Sequence, residues 1–126
     1  MKVDPKGNGE FLVTPADIDE ARIIAEASYE ALMDVVRASA EGDSPLDKKT
    51  AASLIYLANK AAVSASFEVN DYGREVLKGV LRMFYKRGHF VEEMTSASEL
   101  GAYTEYQAKR RQKAGQMLGD LATAPS

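Results

Sequence analysis

The 126-residue chain reads as an all-α protein, a single-domain bundle of about four helices, on three observations. A hydroxyl–proline–x–aspartate start signal occurs twice, at Thr14-Pro15-Ala16-Asp17 and at Ser44-Pro45-Leu46-Asp47. Glycine stops stand at Gly42 and Gly88, and the stretches between carry apolar residues at three- and four-residue spacing. No alternating apolar–polar run stands out, so no strand is expected. A hydrophobic content of 45% suffices for one core, and the absence of cysteine removes disulfides and thiolate chemistry.

Residues 1–13, with Pro5, Gly7 and Gly9, read as a flexible N-terminal arm whose apolar tip, Phe11-Leu12-Val13, can dock on the bundle. The helical domain then spans 14–122. Thr14 as cap, Pro15 in the first turn and a staple from Val13 to Ile18 predict a first helix over 15–40, with Ile18, Ala21, Ala25, Leu32 and Val35 facing the core. The second start follows Gly42 so closely that an antiparallel hairpin results, its second helix covering 45–68 with Leu54, Leu57, Ala58, Ala61 and Ala65 on one face. Asn70-Asp71 breaks it. A third helix over 72–87 buries Val76, Leu77, Val80, Leu81 and Phe84, and Lys86 and Arg87 oppose its dipole. After a link at 89–95, the capping box Ser96-Ala97-Ser98-Glu99 opens a fourth helix over 96–121, and residues 123–126 fray.

Net charge is −3 but unevenly spread: residues 1–47 hold four basic and eleven acidic side chains, whereas 48–126 hold twelve and eight. Arg74, Lys78, Arg82 and Lys86 recur every four residues, drawing a basic stripe on the third helix that Arg87 extends. Like charges so spaced repel by about 0.2–0.5 kcal/mol per pair, which calls for an anionic partner. Gly79 on the same side costs about 1 kcal/mol against alanine and permits close approach. The first helix mirrors the stripe with Asp19, Glu26, Glu30 and Asp34, so copies could associate head to tail into rings or filaments. A second basic cluster, Lys109, Arg110, Arg111 and Lys113, follows Tyr103 and Tyr106 on the fourth helix. There Gln107 and Arg110 break the apolar seam, leaving Arg110 either exposed or buried with a partner.

Catalytic and metal chemistry find little support. His89 is the single histidine, no Glu-x-x-His pair is present, and Gly7-Asn8-Gly9 precedes no phosphate-binding strand–helix unit, so no catalytic residue, metal site or cofactor is assigned. Leu77-Lys78-Gly79 resembles a portion of histidine phosphotransfer domains, but Glu75 stands where their phosphoryl-accepting histidine would be, and neither family nor activity is carried over. Met1 to Pro5 lack the apolar run of a secretory signal and no stretch approaches bilayer length, so a cytoplasmic protein without a membrane partner is expected. The function expected is that of a non-enzymatic accessory subunit, adaptor or inhibitor occupying an acidic surface of a protein partner or larger complex. Its anchors would be the basic stripe and the Tyr–Arg cluster. The alternative is a nucleic-acid-binding subunit that tracks a DNA or RNA backbone without base readout.

Overall fold

Gly7, Asn8 and Gly9 adopt φ values of 89°, 56° and 74°, and this left-handed turn makes a β-hairpin of the N-terminal residues. Gly7 pairs with Glu10, leaving Asn8-Gly9 as a two-residue loop, and positive φ at both central positions is what the right-handed twist of a hairpin demands. In the computed structural model, which describes residues 1–86 and 97–124 and side chains of the last helix from 105 onward, the order is β1 (Lys2–Gly7), β2 (Glu10–Thr14), α1 (Ile18–Ala40), α2 (Lys48–Val63), β3 (Phe67–Asn70), α3 (Asp71–Lys86) and α4 (Ala97–Thr123). The protein is therefore an α+β fold and not the all-α helical bundle expected.

The sheet is antiparallel in the order β1-β2-β3. Pro5 fits because β1 lies at the edge, where a missing N–H costs no ladder bond, and the register shifts between Pro5 and Gly7. Phe11 and Val13 of β2 pair with Val69 and Phe67 of β3, and all four are buried on one face. Leu12 and Glu68 form the outward pair. The expected flexible arm thus supplies two of the three strands of a packed sheet, and the expected second helix ends early, its last residues, Phe67 and Glu68, opening the third strand.

Both helix starts correct the sequence reading in the same way. The cap of α1 is Asp17, whose carboxylate accepts from Glu20 N at 2.9 Å, and the cap of α2 is Asp47, which accepts from Lys49 N and Thr50 N. Each helix begins three residues after the expected position. The residue before a proline is pushed out of the helical region, so Thr14 stays in β2, Ser44 stays outside the helix, and the aspartate downstream satisfies the orphan N–H groups. Val13 is buried in the sheet while Ile18 is 65% exposed, so the expected staple is absent. Asp47→Ala should lower the melting temperature and Ser44→Ala should leave it unchanged, as thermal unfolding by circular dichroism would show.

Gly42, at φ 78°, ends α1 as expected. β3 runs directly into α3, where Asn70 Oδ1 accepts from Gly73 N at 2.8 Å and takes the role of cap. One core cluster joins the inner sheet face to Ile23, Ile24, Ala27 and Ala31 of α1, Leu54, Leu57 and Ala61 of α2, Leu77, Val80, Leu81 and Phe84 of α3, and Ala114, Met117 and Leu121 of α4. α1 packs chiefly on α2, and α3 on α4. The core face of α1 centres on Ile23, Ile24, Ala27 and Ala31; of the residues expected there, Ala25, Leu32 and Val35 are half-buried and pack against the core cluster, Ala21 is half-buried, and Ile18 points to solvent.

Candidate functional site

Helix α1 is apolar on two opposite sides. At 100° per residue its buried residues centre on one line, and Ile18, Tyr29, Met33 and Val36 lie roughly opposite them. These four are 65%, 59%, 39% and 43% exposed. A helix that is apolar on both faces is normally covered on both, and here the described residues cover one. On α2, Ile55 is a further exposed apolar side chain. The spacing hides this face because Ile18 falls in seven-residue register with Ala25 and Leu32, which do pack against the core cluster, while Ile18 itself is exposed.

The charged residues singled out in the sequence are largely engaged within the molecule. Arg74 leaves the stripe and turns inward: its Nη2 donates to the carbonyls of Leu121 at 2.6 Å and Ala124 at 3.2 Å, and its guanidinium stacks 4.7 Å from the Phe11 ring. A cation at the carboxyl end of α4 meets the last unpaired carbonyls and the negative end of the dipole. Lys78 pairs with Glu75 at 3.3 Å. Arg82 and Lys86 remain exposed. Arg87 and His89 lie outside the described residues. Around Gly79 a Cβ would meet nothing within 4 Å, so Gly79→Ala should stabilise α3 by about 0.5–1 kcal/mol in urea unfolding.

The second basic cluster closes α4 onto α1. Arg110, with a side chain 13% exposed, pairs with Glu26 at 2.6 Å and lies over the rings of Phe84 and Tyr106. This explains the interrupted seam. Arg111 Nε donates to the Tyr85 carbonyl at 2.8 Å, near the end of α3, and Lys109 pairs with Glu105 at 3.5 Å on the surface. Lys113 binds Asp17 and lies 3.9 Å from Asp19. The hydrogen bond between them holds the Asp17 carboxyl below its usual range and the Lys113 ammonium above its own. The lowered carboxyl stabilises above pH 3.8 and fails only as pH falls through its lower folded value; the raised ammonium stabilises below pH 10.5 and fails only above that. The contact is therefore intact throughout the neutral range.

Two members of the acidic stripe of α1, Asp19 and Glu26, are met by these α4 cations. Asp34 also lies 3.7 Å from Arg37 on its own helix, and Glu30 is likewise engaged. Tyr106 is 56% exposed, and Tyr103 lies in α4 with its side chain outside the described set. At the amino terminus the Met1 amine meets Glu20 and Asp120, each at 3.0 Å. Burial disfavours its charge, but the two carboxylates more than offset this and raise its pKa above 8.0.

Clefts open on the surface among the described residues. One of about 380 Å³ lies between α2 and β3, lined by Glu10, Ser53, Tyr56, Glu68 and Asn70 among others; the Tyr56 hydroxyl donates to the Glu68 carbonyl at 2.6 Å. A second, of about 360 Å³, shares Tyr56 and Glu68, and a third, of about 620 Å³, is lined by Tyr85, Arg111, Gly115 and Leu118. Among the described residues no group of three His, Cys, Asp or Glu side chains could hold a metal ion, and no helix is long and apolar enough to cross a membrane. Neither models of known protein families, nor curated proteins, nor solved structures match the chain.

Proposed function

We propose that the protein is a non-enzymatic interaction module whose contact surface is the outer face of α1, built on Ile18, Tyr29, Met33 and Val36. The observation that carries this is the exposure of an apolar stripe directly opposite the core-facing side of the same helix. Tyr29 combines a large rigid area with a hydroxyl that tolerates water, the profile of an interface anchor. An accessory, adaptor or inhibitory role suits such a surface. The electrostatic reading is weakened by the internal use of Arg74, Arg110, Arg111 and Lys113. Of the described stripe, Arg82 and Lys86 stay exposed, a small footprint for tracking a phosphate backbone.

The test compares two double variants as baits in extracts of the native host. Tyr29→Arg with Val36→Glu should lose its captured proteins, whereas Lys78→Glu with Arg82→Glu should retain them, both baits keeping native circular dichroism. Loss confined to the Lys78 and Arg82 variant would refute the reading in favour of the charged stripe.

A further inference from the structure

Resting on that reading, we infer that the occupant of the outer face of α1 is a second copy of this chain, docked antiparallel through the same helix. Ile18, Arg22, Ala25, Tyr29, Leu32, Val36 and Ser39 follow an alternating four- and three-residue spacing, the repeat with which one helix packs along another; Ala25 and Leu32 are half-buried and also pack against the core cluster. The line runs nearly the length of α1, and Arg22 is its one charged member.

An antiparallel pair in which residue numbers facing each other sum to 54 is self-complementary in shape. Ile18 meets Val36 of the second copy, Ala25 meets Tyr29, and Arg22 lies beside Leu32 with its guanidinium free to leave the seam for solvent. The small alanine opposite the large tyrosine lets the two rings pass without clash, once on each side of the two-fold axis. Every such contact occurs twice, as an isologous interface requires. In the same arrangement Arg37 approaches Asp19 of the second copy at both ends of the helix pair, opposite charges on the same flank. Within one chain Arg37 lies 3.7 Å from Asp34 and Asp19 lies 3.9 Å from Lys113.

The axis that relates antiparallel α1 helices also places both α2 helices on one side of the pair. α2 is therefore available to extend the contact beyond a single helix pair about 34 Å long. A contact of this size falls in the weak to standard class, so exchange between monomer and dimer at micromolar concentrations is expected.

The chain has no cysteine, so engineered ones report the geometry without ambiguity. Ile18→Cys and Val36→Cys are made in separate full-length chains, both at exposed positions. Oxidation of the mixture should give the disulfide-linked heterodimer. Each variant alone should stay unlinked, because like positions in an antiparallel pair lie about 27 Å apart over 18 residues. Self-linkage of each variant without hetero-linkage would overturn the antiparallel register. Sedimentation equilibrium of the unmodified chain should show a mass rising with concentration from 13.7 kDa toward twice that value. Tyr29→Arg should weaken the association at least about tenfold, as removal of a central aromatic anchor does. Asp19→Arg should weaken it and the double reversal with Arg37→Asp should restore it. A constant 13.7 kDa up to millimolar concentration would overturn the inference, and if the Tyr29 and Val36 bait still lost its captured proteins, the broader reading would stand with a different protein as occupant.

Discussion

Phe11→Ala should destabilise the protein by about 3–5 kcal/mol, a large share of the stability of a domain this size. Phe11 is 2% exposed in the central strand β2, paired across the sheet with Pro5 and Val69 and covered by the guanidinium of Arg74. Truncation opens a cavity that strands on either side cannot close, because each is held in register by its neighbour. In thermal unfolding the midpoint should fall by about 10–20 °C. Were residues 1–13 a flexible arm touching the bundle at its tip, the same change would stay within about 0.5 kcal/mol, as surface substitutions do.

Arg74→Ala should cost about 2–3 kcal/mol in urea unfolding, the range of lost hydrogen bonds to a charged group. The substitution removes two bonds to the terminal carbonyls of α4 and the stack on Phe11. Arg74→Lys keeps the charge but not the planar fork, so it should recover less than half of that loss. A residue serving only to steer an external partner would behave in the opposite way: Ala would leave stability unchanged and Lys would preserve function. Coupling between Phe11→Ala and Arg74→Ala should be measurable in a double-mutant cycle, since the two side chains are in contact.

Helix bodies were legible in the sequence because Leu54, Leu57, Leu77, Leu81 and Phe84 keep a helical period and do fill the core. The strands were not. Lys2, Asp4 and Lys6 make β1 polar at alternate positions and Pro5 interrupts it, so the one strong signal, Asn8-Gly9 ahead of Phe11 and Val13, stood without an apolar strand before it. Phe67-Glu68-Val69-Asn70 alternates cleanly, but four residues following Ala58, Ala61 and Ala65 also continue a helical pattern. Here the tertiary pairing with β2 decides.

The sites failed for a different reason. Charge patterning along one helix shows where like charges gather but not what they meet, and Glu26 and Arg110 are 84 positions apart in the chain. Arg110 was legible as an anomaly, a cation in an apolar seam, though its partner was not. The outer face of α1 was hidden by the richness of that helix in apolar residues. Two stripes half a turn apart give every window an apolar side, and only the tertiary packing of Ile23, Ile24 and Ala27 shows which of the two is the core.

The central claim is that the outer face of α1, and not the basic stripe of α3, meets the partner. Site-specific photocrosslinking in cells of the native host tests it most directly, with a benzophenone side chain replacing Tyr29 in one version and Arg82 in another. The account predicts protein adducts from position 29 and none from position 82, with an adduct of twice the chain mass if the partner is a second copy. Adducts from position 82 alone would contradict it.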